Sequence, residues 1–144
     1  MEEKKSFLKQ KIDLESPNKN IVPITTSIGD DGKLSVGGCS IEELIKNLVI
    51  GICVFQVVLD EAQINYFVVK QKFRKKGFGS FFMSYLIKKC EKLNLKKLLL
   101  EVSQSNVTAE RFYSRFDFST VGIRKNYYKD GSHALLKEKK LTTK

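Results

Sequence analysis

The sequence predicts an α/β domain in which a central β-sheet has helices packed against its faces. From residue 48 onward, segments with strand and helix patterns follow one another in the order β-β-turn-α-β-α-β-β, which is typical of a mixed sheet with helices. Within that order, residues 78–93 place apolar side chains at spacings of three and four, the period of an amphipathic helix. A length of 144 residues corresponds to a single domain, 1–144, with a core large enough to fold alone.

The first third of the chain carries weaker signals. Residues 4–12 fit a short helix and residues 20–28 fit a strand, whereas 29–32 and 37–38 have the glycines of turns. The segment 40–43 has the form of a capping box, although a strand there is also consistent with the sequence.

Two predicted strands precede the long helix. The apolar run 48–59 is interrupted by Gln56, so it is too short to span a bilayer and is interpreted as a buried strand. A turn at Asp60-Glu61 leads to a second strand, 64–69. The helix over 78–93 then has an apolar stripe formed by Phe78, Phe81, Phe82, Tyr85, Leu86, Cys90 and Leu93.

Four further elements complete the predicted domain. Residues 97–102 form a strand, and its continuous apolar run 98–100 is expected of a strand covered on both faces. A second helix begins at Ser105-Asn106, and strands at 119–124 and 134–141 end the chain. The apolar stripe of this helix contains Ala109, Phe112, Tyr113 and Phe116.

Composition narrows the possible functions. Hydrophobic residues make up 42% and charged residues 29%, which is typical of globular domains. No secretory apolar segment follows Met1, so a cytoplasmic location without a membrane partner is expected. The three cysteines, Cys39, Cys53 and Cys90, are widely spaced and are expected to be free thiols. His133 is the single histidine and is interpreted as a surface residue, so no metal site is expected.

The charge is concentrated in the second part of the chain. Residues 1–60 hold 7 Lys and 9 acidic residues, a net charge of −2, whereas residues 61–144 hold 19 Lys and Arg and 7 acidic residues, a net charge of +12. This part is expected to bind an anion, either a cofactor or a polynucleotide. A lysine-rich composition with solvated side chains explains part of the excess, but not the cluster at 70–76.

A basic turn with two glycines joins the second strand to the long helix. Gly77 and Gly79 permit unusual backbone torsions and close approach of a ligand. The first N–H groups of the following helix lack internal partners, and the helix dipole adds positive potential there. Phosphate oxygens satisfy both features. Two glycines alone also fit an ordinary strand–turn–helix junction, but the preceding basic triplet, 74–76, favours an anion site.

The spacing Arg74-x-x-Gly77-x-Gly79 resembles the acetyl-CoA signature of the GNAT superfamily of N-acetyltransferases. Segments 56–62, 100–106, 111–113 and 124–128 resemble one branch of it, the bacterial enzymes that acetylate the N-terminal alanine of a small-subunit ribosomal protein. The resemblance covers 48–141, while 1–47 match poorly, and the family's early helical segment is not recognisable in 1–40. It implies a three-layer α/β/α sandwich with a mostly antiparallel sheet that contains one splayed pair of parallel strands.

The resemblance also implies acetyl transfer from acetyl-CoA directly to an amine, without a metal or a covalent enzyme intermediate. Phe67, Val68 and Val69 would pair with the pantetheine arm, and Asn106 would hydrogen-bond it. Glu101 would be the general base and Tyr113 the general acid, while Tyr127 and Tyr128 would help to seat the acceptor's N-terminal residues. The diphosphate would lie on Arg74, Lys75, Lys76, Gly77, Phe78, Gly79 and Ser80.

The residues alone leave alternatives at these positions. Glu101 follows three leucines at the end of a strand, which suits a base but also suits an ion pair with a neighbouring Lys or Arg. Tyr113 belongs to an aromatic helix stripe typical of a core, although its hydroxyl needs a partner. Tyr127 and Tyr128 fit aromatic packing at a strand edge equally well.

Three functions remain open from the sequence. The acceptor is either the N-terminus of a ribosomal protein or a small amine such as a polyamine. The third possibility is a basic RNA- or ribosome-binding module without catalysis, whose affinity would fall steeply with salt. The in-register presence of Gly77, Gly79, Glu101, Asn106 and Tyr113 favours an enzyme without direct nucleic-acid function.

Overall fold

The structure, a computed structural model, describes residues 21–28, 33–38 and 48–142. Two helices pack on a sheet, α1 (Phe78–Lys92) and α2 (Val107–Arg115), and a short 3-10 turn (Gln71–Phe73) follows the fourth strand. The strands are β1 (Ile21–Ile28), β2 (Leu34–Gly38), β3 (Leu48–Val58), β4 (Glu61–Val69), β5 (Lys97–Ser103), β6 (Ser119–Arg124) and β7 (Ala134–Lys140). The predictions for 4–12, 29–32 and 40–43 fall outside the described residues.

The seven strands form one mixed sheet in the order β2-β1-β3-β4-β5-β7-β6. Among the described strands, β4 and β5 are the one parallel pair, and the other neighbours are antiparallel. The parallel pair is joined by α1, as expected of a crossover connection. The predicted fold class, a mostly antiparallel mixed sheet with a splayed parallel pair, is therefore confirmed.

Both described helices pack on the same face of the sheet. The ring of Phe67 on β4 lies 5.3 Å from the ring of Phe82 on α1 and 5.8 Å from that of Phe112 on α2. Alternate residues of β3 point into this core or away from it, yet Ile52 and Cys53 are both completely buried. Both faces of the central strand β3 are thus removed from solvent, as a layered sandwich requires.

Two predicted turns were wrong. The predicted turn at Asp60-Glu61 lies at Leu59-Asp60, because β4 begins at Glu61 and pairs with Val58. Leu59 takes the left-handed conformation, with φ 56°, to close this hairpin. The predicted turn at 37–38 belongs to β2, because its glycines pair with β1.

The apolar surfaces of α1 and β5 also differ from the prediction. Phe81 and Tyr85 on α1 are 42% and 36% exposed, Leu93 just after its end is 52% exposed, and Met83 is buried instead. Leu98 and Leu100 are buried, whereas Leu99 is only half-buried. The prediction that β5 is covered on both faces was therefore wrong. One face of β5 meets the helices, and the other face is partly exposed to solvent. No helix in the described ranges is long and apolar enough to cross a membrane.

Candidate functional site

The strands β4 and β5 separate where the candidate site begins. They pair from Glu61 opposite Lys97 as far as Ile64 opposite Leu100, and the remaining residues of β4 pair only with β3. The register between β3 and β4 shifts at the same level, which makes Asn65 an extra, bulged residue. A bulge bends its strand and disrupts the ladder, so the second half of β4 turns an open backbone edge toward β5.

A groove of about 1150 Å³ occupies this opening and continues to the start of α1. It brings together nine of the eleven residues predicted to bind the cofactor, along with the predicted acid Tyr113. The nine are Phe67, Val68, Val69, Arg74, Lys75, Gly77, Gly79, Ser80 and Asn106. Lys76 and Phe78 do not line it; Lys76 is exposed, and the ring of Phe78 packs edge-on against Phe73 at 6.0 Å.

The basic turn ends at an N-terminus of α1 that is open to an anion. Gly77 is the N-cap residue with φ 87°, and it makes no side-chain capping hydrogen bond. This torsion explains why glycine is needed there, although a Cβ at Gly77 would meet no atom within 4 Å. The first turn of α1 contains no acidic residue. The N–H groups of that turn therefore present a positive end without a carboxylate to neutralise it.

The sequence predicted that both Gly77 and Gly79 permit unusual backbone torsions, but Gly79 has ordinary helical torsions. It lies within the first turn of α1, and of these two glycines Gly77 alone has a positive φ. A Cβ on Gly79 would lie 3.5 Å from the Phe112 ring and 3.7 Å from Val69, in ordinary contact distance. Both neighbours line the groove, so the missing side chain keeps the groove wide rather than relieving backbone strain.

Arg74 is anchored at the end of the opened strand. Its Nε donates a hydrogen bond of 2.8 Å to the carbonyl oxygen of Val69. One donor of the guanidinium is thereby held by the main chain, and its remaining N–H donors stay beside the groove. Arg74 and Lys75 together place two cations at the mouth of the positive helix end.

Asn106 begins α2 at the opposite wall of the groove. Its Oδ1 accepts a 3.2 Å hydrogen bond from the N–H of Ala109 and so caps the helix. The amide nitrogen of the same side chain remains as a donor group, which suits the carbonyl oxygens of an amide-containing ligand. The capping role was not predicted, and it fixes the orientation of a side chain that the resemblance assigns to the cofactor.

Tyr113 is a half-buried phenol deep in the groove wall. Its ring packs edge-on against those of Phe112 at 5.4 Å and Phe118 at 5.7 Å. Burial, with a smaller contribution from Cys53, raises the pKa of Tyr113 to about 12. The hydroxyl therefore stays protonated at physiological pH and can donate a proton or a hydrogen bond.

Glu101 does not line the groove but lies on the opposite face of β5. Its neighbours Leu100 and Val102 point into the helix-covered core, so the Glu101 side chain points away from it. The Glu101 side chain is 26% exposed and forms an ion pair of 3.3 Å with the Nε of Arg124. The structure thus contains the ion pair that the sequence left open, and Tyr113 and Glu101 flank the opened strands from opposite faces.

Tyr127 and Tyr128 lie in the β6–β7 connection, on the same side as Glu101. The guanidinium of Arg124 lies 5.7 Å above the Tyr127 ring, and the two tyrosine rings are perpendicular at 5.1 Å. The pKa of Tyr128 is raised by burial first and then by the charge of Glu101. The carboxylate and both tyrosines therefore form one cluster around Arg124, away from the helices.

His133 holds this connection in shape. Its Nδ1 accepts a 2.9 Å hydrogen bond from the N–H of Asn126, while its carbonyl oxygen accepts one of 2.9 Å from the N–H of Gln104. His133 is half-buried, and the bond to Asn126 joins the two ends of the β6–β7 connection. Within the described ranges, no group of three His, Cys, Asp or Glu converges on a possible metal position.

Sequence reasoning missed several residues of the site. Tyr66, Gln71, Thr108 and Arg115 also line the groove, and Arg124 contacts Glu101. Gln71 lies within the basic cluster 70–76, so sequence proximity could have identified it. Arg115 and Thr108 lie on α2, and only the packing of α2 beside α1 brings them to the groove.

The arrangement can perform a defined chemistry. One end of the groove suits a phosphate anion, and the protonated phenol of Tyr113 lines the same groove. Phe67 and Val68 are consecutive residues of β4 whose side chains point to opposite faces of the sheet, and both line the opening. A ligand in the groove would therefore be reachable from the face that carries Glu101.

Comparison with known proteins identifies a family and several relatives. Residues 16–118 match the model of the acetyltransferase (GNAT) family. A curated relative from Haemophilus ducreyi, named [ribosomal protein bS18]-alanine N-acetyltransferase, is 35% identical over 86 residues, which cover 58% of this chain and 59% of that protein. The chain thus spans little more than half the length of this curated relative.

Two solved structures share the fold. The ribosomal-protein-S18-alanine N-acetyltransferase from Escherichia coli has a TM-score of 0.71 and 21% identity, and the alignment covers 99% of this chain and 88% of that one. Ard1 from Thermoplasma volcanium has a TM-score of 0.63 and 32% identity, with 66% of this chain and 65% of that one covered. At 21% identity, the first likeness speaks for the fold alone.

Proposed function

This chain belongs to the acetyltransferase (GNAT) family, and from that premise we propose that it transfers an acetyl group from acetyl-CoA directly to an amine. The proposed acceptor is the N-terminal α-amino group of a protein, in particular a ribosomal protein, and the proposed location is the cytoplasm. The observation that carries the proposal is the continuous groove from the positive end of α1 to Tyr113, through the opening between β4 and β5.

The groove suits the donor at both of its ends. The uncapped start of α1, with Arg74 and Lys75 beside it, suits a diphosphate. The open edge of β4 and the Asn106 amide suit the peptide-like groups of pantetheine, which need hydrogen-bond partners along their length. Bound acetyl-CoA would supply an activated acetyl group as a thioester.

The proposed roles of Glu101 and Tyr113 follow from their opposite positions. Glu101, on the accessible face, would take the proton that the amine loses during attack. Tyr113, on the helix side and fully protonated at neutral pH, would give its proton to the departing thiolate. The ammonium form of an acceptor would meet the same carboxylate that now pairs with Arg124, so Arg124 has to yield part of that contact.

An α-amino group is an acceptor that Glu101 could deprotonate without a strong base being needed. Its reference pKa is about 7.7–8.0, so a modest interaction is enough to deprotonate it near neutral pH. The Tyr127–Tyr128 pair stands beside the Glu101 carboxylate and would seat the residues that follow the amine. The name of the Haemophilus relative, which specifies the alanine of ribosomal protein bS18, supports this acceptor over a polyamine.

A panel of acceptors tests the proposal. Release of free thiol from acetyl-CoA is measured with peptides that begin with alanine, with the same peptides blocked by N-terminal acetylation, and with spermidine and free alanine. We expect the unblocked peptides to exceed the free amines in kcat/KM by at least about ten-fold, equal to about 1.4 kcal/mol, and the blocked peptides to give no thiol above background.

Two results would contradict it. A polyamine that is turned over faster than every peptide would assign the enzyme to the small-amine class. An absence of thiol release with any amine, together with RNA binding that falls steeply with salt, would favour a binding module instead.

A further inference from the structure

A buried ammonium group lies beneath α2, the helix that carries Tyr113. Lys137 on β7 is 3% exposed, and among the residues that the structure describes it is the one charged residue that is buried. Its register partner on β5 is Leu100, which belongs to the helix-covered core, so the lysine side chain points to the same face of the sheet. Because a buried charge is costly unless it is paired, its partners show what it holds together.

Two oxygen atoms from different elements hold this ammonium. The Nζ of Lys137 donates a 2.7 Å hydrogen bond to the Oγ1 of Thr120 on β6. It also lies 3.4 Å from the Oε1 of Glu110 on α2, as a hydrogen bond and an ion pair. The Glu110 side chain is 35% exposed, whereas that of Lys137 is only 4% exposed. Lys137 therefore connects α2 to the last two strands of the sheet through polar contacts that have a defined direction.

The other side chains of α2 give it little directional restraint. None of its nine residues is fully buried. The apolar residues of α2 and its C-cap that pack on the core are only partly buried; they are Ala109, Phe112, Tyr113 and Phe116. Apolar attraction is non-directional, so such contacts permit small shifts of the helix. Glu110 is three residues before Tyr113 and lies on the same side of α2, so a contact that fixes Glu110 also fixes Tyr113.

We propose that Lys137 is a positioning residue that places the Tyr113 hydroxyl through its contact with Glu110. The inference rests on the proposed function, in which Tyr113 protonates the departing thiolate. A general acid has to lie within hydrogen-bond reach of the atom that it protonates, and a displacement of about 1 Å can cost about 10²-fold in rate. The pair adds little to stability, because loss of hydration of the ammonium offsets its attraction to the carboxylate. Its effect is expected on turnover rather than on folding.

A double-mutant cycle between Lys137 and Tyr113 tests the inference. Lys137→Met keeps an unbranched apolar stem and removes the ammonium, and the partly exposed Glu110 can then turn to solvent. We expect kcat for acetyl transfer to fall by about ten-fold, equal to about 1.4 kcal/mol, with an unchanged or higher melting temperature. In a Tyr113→Phe background the same change should alter kcat by less than about two-fold, because no proton donor remains to be positioned.

The affinity for coenzyme A separates this effect from damage to the groove. Its dissociation constant, measured by calorimetry, should stay within about two-fold of the wild-type value in Lys137→Met. The reason is that the basic turn and the start of α1 do not contact Lys137 in any described hydrogen bond or ion pair. The loss should therefore appear in kcat and not in binding of the donor.

Lys139→Met is the matched control. Lys139 is two residues further along β7, on the same face, and its side chain is 15% exposed. Its Nζ lies 4.0 Å from Asp117, which follows α2 and does not belong to it. This variant should keep the wild-type kcat.

Glu110→Ala breaks the same contact from the helix side and gives an independent cycle. It should lower kcat in the wild-type background and not in the Tyr113→Phe background. It should also lower the melting temperature, because Lys137 then stays buried without a counter-ion.

The contrary outcomes can be told apart. An equal loss of kcat from Lys137→Met with and without the Tyr113 hydroxyl would assign Lys137 a general structural role and leave the proposed function standing. An unchanged kcat in Lys137→Met would show that apolar packing alone places α2. Full turnover in Tyr113→Phe, or no acetyl transfer by the wild-type protein, would overturn the proposed role of Tyr113 and this inference together.

Discussion

Replacing Tyr113 by phenylalanine is expected to lower kcat by about 10²-fold or more while the dissociation constant for coenzyme A stays within about two-fold. The phenol is half-buried in the groove, and its pKa of about 12 keeps the proton on the oxygen. Phenylalanine keeps the ring contacts with Phe112 and Phe118 and removes only the donor. The loss should therefore fall on departure of the thiolate, a step that initial-rate kinetics at saturating substrates report as kcat.

Tyr85→Phe is the control for this experiment. Tyr85 is on α1, is 36% exposed and does not line the groove. Its variant should match the wild-type protein in both constants. If Tyr113→Phe kept its full turnover, Tyr113 would be a packing residue, and water or another group would protonate the thiolate.

Replacing Glu101 by glutamine is expected to lower kcat/KM for an α-amino acceptor by about 10²-fold at pH 7. Glutamine has nearly the same shape but cannot accept the proton that the ammonium loses. The deficit should shrink as the pH rises above about 8, because the acceptor amine, with a reference pKa of about 7.7–8.0, then arrives deprotonated. The measurement is kcat/KM for an alanine peptide across a pH range from about 6.5 to about 9.5, which brackets that pKa.

The structure offers a matched control in Glu138→Gln. Glu138 is also a strand glutamate in an ion pair, 3.6 Å from Lys97, but it lies outside the groove and the cluster around Arg124. Its variant should follow the wild-type pH profile. A Glu101→Gln enzyme with that same profile would mean that Glu101 serves only to pair with Arg124.

Local signals in the sequence predicted the elements that form the groove. The period of α1 and the glycine turn before it are encoded in neighbouring residues, and α1 begins at Phe78 as predicted. The Ser105-Asn106 start of α2 was also confirmed, because Asn106 is a good N-cap residue. The family resemblance supplied what local signals lack, namely the splayed pair of strands and the grouping of residues from β4, α1 and α2.

Features that depend on packing between distant segments could not be predicted. The Arg124–Glu101 ion pair requires β6, β7 and β5 to be neighbours in that order, and strand order has no local signal. The exposure of Phe81 depends on which side of α1 meets the sheet. The neutralisation of Glu110 by Lys137 joins residues that are 27 positions apart.

Calorimetry on Ser80→Asp tests whether the start of α1 binds the diphosphate of coenzyme A. Ser80 lines the groove in the first turn of α1. An acidic side chain there interacts favourably with the helix dipole but repels a phosphate. We predict that wild-type protein binds coenzyme A and that Ser80→Asp binds it at least about ten-fold more weakly, with an unchanged or higher melting temperature. Ser84→Asp, one turn further along and exposed outside the groove, should bind as the wild-type protein does. An absence of heat with the wild-type protein, or equal affinity in Ser80→Asp, would show that the diphosphate does not bind at the start of α1.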